Sequence, residues 1–83
     1  MLLPMRVEIR YCQMGNYKPR AASLAAAIRK ARGMEVQIEP GGRGQFDIFF
    51  DEKLIYSKET EGRFPEHDEV FDELPAAAAP GQS

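Results

Sequence analysis

Several residue types are scarce in this chain, and each scarcity excludes a class of protein. The 83 residues include one cysteine, one histidine and no tryptophan. A single cysteine cannot form an internal disulfide and does not supply a thiolate metal cluster. The net charge is only −2, so the chain lacks the overall basic field typical of nucleic-acid-binding proteins. We therefore expect no nucleic-acid partner.

Long apolar runs are also missing. No segment approaches the roughly 18 apolar residues that a membrane span requires. Residues 1–4 are too short for the apolar region of a signal peptide. We therefore expect a soluble cytoplasmic protein with no membrane partner. The length predicts a single domain, which we place at residues 1–74. Residues 75–83 are rich in alanine, proline and glycine and are expected to form a disordered C-terminal tail.

The first half of the domain shows two periodicities. Residues 5–11 and 34–39 alternate apolar with polar side chains, which predicts two half-buried strands. Between them, a helix is expected from Pro19, since proline fits the first helical position, to Arg32. Gly33 is the expected left-handed stop. The helix has an apolar stripe at Ala21, Leu24, Ala25, Ile28 and Ala31.

The second half predicts a hairpin and a short helix. Residues 45–50 and 53–57 form two strands around a turn at 51–52. A helix is then expected from Pro65 until Pro75 stops it. The order is β-α-β-β-β-α in an α/β (α+β) two-layer sandwich, with helices on one face of a four-stranded mixed sheet. Strands one and two are parallel because a helical crossover joins them, and strands three and four are antiparallel. The glycine-rich segment 40–44 is interpreted as a turn.

Cys12 is the main candidate for chemistry. It ends the first strand and precedes the first helix, the position where α/β proteins usually place functional groups. Two-cysteine redox loops carry a partner thiol three residues further on, but that position here is Gly15. His67 stands alone, and the nearby acids lack ligand spacing, so no metal site is expected.

Three segments resemble the selenoprotein W-related (Rdx) family. They read Ile-Arg-Tyr-Cys at 9–12, Tyr-Lys at 17–18 and Phe-Asp-Ile-Phe-Phe-Asp-Glu-Lys-Leu-Ile-Tyr-Ser-Lys at 46–58. The similarity extends over about residues 7–74. The resemblance implies a thioredoxin-like fold in which strand three neighbours strand one. It also implies a thiol redox protein, because the family carries Cys-x-x-Cys or Cys-x-x-selenocysteine after its first strand.

This chain departs from the family motif at its second thiol. Cys12 matches the first cysteine, whereas Gly15 replaces the second. The remaining hypothesis is a monothiol mechanism in which Cys12 is catalytic and glutathione or a protein thiol resolves the mixed disulfide. No cofactor is expected beyond glutathione as a co-substrate. The redox loop is then Gln13, Met14 and Gly15, and the expected thiol environment is Tyr17, Lys18 and Arg20.

Whether Cys12 reacts depends on its pKa. At an ordinary value of about 8.5, roughly 3% is thiolate at pH 7. A helix amino end with Lys18 or Arg20 would lower it, whereas a buried cysteine often serves as a small hydrophobe. The alternative function is therefore a non-catalytic binding module that presents the loop from Cys12 to Lys18. No motif specifies the partner protein or the oligomeric state.

Overall fold

The computed structural model describes residues 5–75. Of the predicted tail, it includes Pro75, and the remainder lies outside the described residues. Within them, no helix is both long and apolar enough to cross a membrane. The elements, in chain order, are β1 (Arg6–Tyr11), α1 (Tyr17–Arg32), β2 (Glu35–Pro40), β3 (Phe46–Phe50), β4 (Lys53–Ser57), α2 (Lys58–Glu61) and α3 (His67–Asp72).

The four strands form one mixed sheet in the order β2-β1-β3-β4. β1 pairs with β2 in parallel and with β3 in antiparallel orientation. β3 and β4 form the predicted hairpin, with Asp51 and Glu52 in the turn at φ 49° and 74°. The predicted topology is confirmed, including the position of β3 beside β1.

The core lies on one face of this sheet. Alternate residues of β1 point inward, so that Val7, Ile9 and Tyr11 are buried while Arg6 and Arg10 are exposed. α1 and α3 contribute to the same cluster, which places both helices on that face. The cluster's buried members are Val7, Ile9, Tyr11, Ala21, Leu24, Ala25, Ile28, Met34, Val36, Phe46, Ile48, Tyr56, Val70 and Leu74.

α1 begins two residues before the predicted Pro19, at Tyr17. Pro19 is still tolerated, because the first four N–H groups of a helix have no partner within it. Gly33 stops the helix at φ 68° and donates its N–H to the Arg29 carbonyl at 2.9 Å, as predicted. The prediction of Ala31 in the apolar stripe was wrong, since Ala31 is exposed. Ala31 lies at the edge of the apolar stripe, and the next position in line with Ile28 is the half-buried Arg32.

The short elements after β4 differ most from the sequence prediction. α2 was not predicted, because residues 58–61 have no apolar periodicity; Gly62, at φ 79°, ends it. α3 begins at His67 rather than at Pro65, with Glu66 as its N-cap. Val70 of this helix and Leu74, which follows it, are buried in the core.

A charged cluster fixes the start of α3. The Arg63 guanidinium binds both carboxylate oxygens of Glu69, at 2.7 and 2.9 Å. One of these oxygens also accepts the Glu66 N–H at 2.7 Å, which caps the helix. These contacts lower the pKa of Glu69 from 4.5 to about 2, and the Arg63 guanidinium has a larger effect than the Glu66 N–H. Glu69 thus joins the segment after β4 to the first turn of α3.

We expect Glu69→Gln to lower the melting temperature at neutral pH. Because folding depresses the pKa of this carboxyl, its stabilising contribution is complete above pH 4.5 and is lost as the pH falls through about 2. The difference between variant and native protein should therefore shrink over that range in thermal melts followed by circular dichroism. Glu35→Gln removes the same charge from an exposed position on β2 and is the control. A difference that does not depend on pH would contradict this account.

Candidate functional site

The loop between β2 and β3, residues 41–45, crosses the carboxyl end of β1. β2 runs parallel to β1 and ends beside Tyr11, while β3 starts on the other side of Tyr11. The connection must therefore span two inter-strand spacings, about 10 Å, over the residue that follows β1. Two backbone hydrogen bonds hold it there: Gly41 N–H to the Tyr11 carbonyl at 2.7 Å, and Cys12 N–H to the Gln45 carbonyl at 2.8 Å.

Cys12 lies under this crossing. It follows β1 at the carboxyl end of the strand, as predicted, and is 3% exposed. It ranks among the buried apolar residues of the protein. The backbone of the crossing loop lies beside its thiol.

Backbone amides surround the Cys12 sulfur. The Met14 N–H donates to Sγ at 3.4 Å. The N–H of Gly44 is the largest influence that lowers the pKa of the thiol, and the N–H of Met14 is the next. Burial opposes both, while the positive charge of Arg43 and the N–H of Gln45 lower the pKa further. The net effect is a pKa below the ordinary value for a cysteine thiol, because N–H dipoles and a cation favour the thiolate.

The predicted redox loop is exposed around the buried sulfur. Gln13, Met14 and Gly15 all lie on the surface, and Met14 is 70% exposed. Gly15 has φ 71°, a conformation that non-glycine residues rarely adopt. A Cβ placed there would meet Tyr17 Cδ1 at 3.9 Å, an ordinary contact. The position therefore has room for a side chain, but its backbone favours glycine.

Tyr17 and Arg20, two of the residues expected around the thiol, belong to an aromatic cluster. Tyr17 packs edge-on against Phe64 with ring centroids 5.0 Å apart, and Phe64 packs against Phe46 at 5.2 Å. The Arg20 guanidinium lies 4.2 Å from the Phe64 ring centroid. Lys18 is exposed at the start of α1. Arg43 is a cation that lowers the pKa of the thiol.

Sequence reasoning missed Arg43, Gly44 and Gln45 as neighbours of Cys12. These residues were interpreted as part of a turn or as the start of a strand, and they follow Cys12 by more than 30 positions. The signal that could have found them was topological. Once β3 is placed beside β1, the turn after β2 has to pass over Cys12.

Residues 5–75 contain no group of three or more His, Cys, Asp or Glu side chains that could hold a metal ion. His67 lies on the rim of a groove of about 290 Å³ that is also lined by Leu24, Phe46 and Phe64. This groove is next to the aromatic cluster and not at the thiol.

Comparisons with known proteins agree with the sequence resemblance. The model of the Rdx family matches residues 6–75. Two curated relatives, both called migration and invasion enhancer 1, are 27% identical (Bos taurus) and 25% identical (Mus musculus) over 75 residues. Each alignment covers 89% of this chain, which spans 65% of the length of these relatives.

Two crystal structures share the fold. A selenoprotein W-related protein from Vibrio cholerae superposes with a TM-score of 0.79 at 27% identity, covering 84% of this chain and 91% of that one. A protein from Bordetella parapertussis gives 0.77 at 32% identity, covering 87% and 100%. The predicted thioredoxin-like fold is thereby confirmed.

Removing the positive charge of Arg43 should raise the pKa of the Cys12 thiol. Arg43→Gln is the test, and Lys18→Gln, which removes the same charge from the start of α1, is the matched control. The pKa is measured from the ultraviolet absorbance of the thiolate during a pH titration. We expect a rise for Arg43→Gln and no change for Lys18→Gln. A rise for Lys18→Gln with no change for Arg43→Gln would place the helix end, and not the loop between β2 and β3, beside the sulfur.

Proposed function

Because the chain belongs to the selenoprotein W-related (Rdx) family, we propose that it is a thiol redox protein that works through Cys12 alone. One observation supports this proposal above the others. Cys12 occupies the end of β1 within reach of the Met14 N–H, while Gly15 takes the place of the second thiol. The first reacting group of the family motif is therefore present, and the group that would resolve its mixed disulfide is absent.

The proposed reaction is exchange with glutathione disulfide. The Cys12 thiolate attacks one sulfur of that disulfide, the old S–S bond breaks, and a new bond joins Sγ to one glutathionyl group. The other glutathione leaves as a thiolate and takes up a proton from water. A thiolate of another protein then attacks the glutathionyl sulfur of the mixed disulfide, so that the glutathionyl group passes to that protein and the Cys12 thiolate is regenerated. Atoms and electrons balance in each step without a second thiol in this chain, and the net reaction moves one glutathionyl group from glutathione disulfide to the other protein.

Two properties of Cys12 act in opposite directions on this reaction. The loop amides and the Arg43 charge lower the pKa of the thiol, which raises the thiolate fraction near neutral pH. The low exposure of 3% restricts the approach of a disulfide. The reaction therefore requires the covering loops to open, and its rate is proportional to the product of the thiolate fraction and the open fraction.

A second candidate function rests on that same low exposure. A thiol that is 3% exposed also suits a non-catalytic thioredoxin-fold module in which Cys12 is structural. Such a module would present the surrounding loop from Cys12 to Lys18 to a partner protein. Met14, at 70% exposure, is the apolar side chain that this surface offers. An inert Cys12 in the folded protein would favour this function over the monothiol one.

Glutathionylation of the folded protein is expected to depend on pH in a specific way. We compare its rate with that of urea-unfolded protein by intact mass spectrometry, using glutathione disulfide from about pH 9 down to about pH 6. Folding lowers the pKa of the thiol, so the folded-to-unfolded rate ratio should rise as the pH falls. Restricted loop opening lowers this rate ratio by the same factor at every pH, so the pH dependence of the ratio reports the difference in thiol pKa. No adduct on the folded protein would reject the proposal and favour the binding module.

Gly15→Cys should create a loop that forms an internal disulfide. The spacing from Cys12 is that of a two-cysteine loop, and a Cβ at position 15 makes no close contact. Its φ of 71° should cost about 1–3 kcal/mol of stability in the reduced variant. Gly15→Ser carries the same backbone strain and is the control.

Free thiols of the Gly15→Cys variant are counted before and after diamide treatment. Loss of two thiols per monomer is expected, with the reduced variant and Gly15→Ser melting at similar temperatures below native. Two free thiols after treatment, or dimers linked between chains, would show that the loop geometry no longer suits an internal disulfide.

A further inference from the structure

Gln45 connects the loop over Cys12 to the sheet. Its side-chain Oε1 accepts the Gly42 N–H at 2.7 Å, and its Nε2 donates to Asp47 Oδ2 at 2.8 Å. Its backbone carbonyl accepts the Cys12 N–H at 2.8 Å. One residue therefore joins the middle of the loop, the residue after β1 and the start of β3.

The loop folds closely around this side chain. The Gln45 amide fills the space beside Gly41, so that a Cβ at Gly41 would collide with it. Gly44 turns the chain with φ 70°. The Gln45 N–H completes the turn by donating to the Gly42 carbonyl at 3.1 Å. The loop thus takes its shape from one amide side chain and two glycines, and it contributes no side chain to the apolar core cluster.

We infer that Gln45 is a positioning residue that holds loop 41–45 closed over Cys12 and so controls access to the thiol. The inference rests on the proposed function of Cys12. A disulfide must approach the sulfur along the axis of the bond that breaks, and the closed loop blocks that approach. The two side-chain hydrogen bonds of Gln45 contribute to the free energy of opening, together with the backbone hydrogen bonds that join the loop to Tyr11 and Cys12.

A surface cavity of about 530 Å³ lies beside the loop and is lined by Arg43, Gly44, Gln45 and Asp47, and by Lys58 and Glu59 of α2. The loop residues that neighbour the sulfur therefore also border open space at the surface.

The test measures alkylation of Cys12 by iodoacetamide, with each rate divided by the thiolate fraction from an ultraviolet titration of the same variant. Gln45→Ala removes both side-chain hydrogen bonds and should raise the corrected rate on the order of tenfold. Gln37→Ala, at an exposed position on β2, is the matched control and should leave the rate at the native value.

A double variant tests rescue. Gln45→Glu with Asp47→Asn keeps the net charge and reverses the polarity of one hydrogen bond. The introduced carboxylate can accept from the Gly42 N–H and from the introduced amide, so both links are kept. The corrected alkylation rate should return to within about threefold of native. An unchanged rate for Gln45→Ala, or a double variant as fast as Gln45→Ala, would overturn the inference.

Amide exchange in the native protein gives a second measurement that needs no variant. The Gly42 amide should exchange faster than that of Ile9 in the central strand, because the loop opens without global unfolding. Equal protection of the two amides would reject independent opening.

Alkylation by iodoacetamide does not depend on any reactivity of Cys12 towards glutathione. If alkylation follows these expectations but no glutathione adduct forms, the role of Gln45 in controlling access to Cys12 is supported and the monothiol function is rejected.

Discussion

The strand order β2-β1-β3 is the constraint on which the candidate site depends. β2 and β3 lie on opposite sides of β1, so the segment that joins them has to pass over one end of β1. The directions of the strands determine that this is the carboxyl end, where Cys12 follows Tyr11. The Gly44 and Gln45 amides beside the thiol and the nearby Arg43 charge follow from that crossing.

The sequence predicted the parts of the structure that depend on local periodicity. Alternation in residues 5–11 identified the inward face of β1, and Gly33 marked the end of α1. The position of Cys12 followed from these local signals alone. α2 and the early start of α1 were missed, because short or terminal helical turns have little apolar periodicity.

The surroundings of Cys12 could not be predicted in the same way. Lys18 and Arg20 were chosen because they are near Cys12 in the chain, whereas Arg43 and Gly44, which are distant in the chain, influence the pKa of its thiol. Their proximity results from strand pairing, which sequence spacing does not encode. The same difference explains Gln45, whose contacts with Gly42 and Asp47 are local but whose effect on Cys12 arises from the sheet.

The backbone conformation of Gly15 limits which substitutions this loop tolerates. At φ 71° almost any replacement adds backbone strain, whether or not the new side chain is useful. A codon change to cysteine therefore begins with a loss of stability, and any benefit appears only after oxidation. A second substitution that relaxes the backbone of the loop would have to come first for the change to be neutral. The stability cost of replacing this glycine thus opposes the return of a second cysteine to the loop.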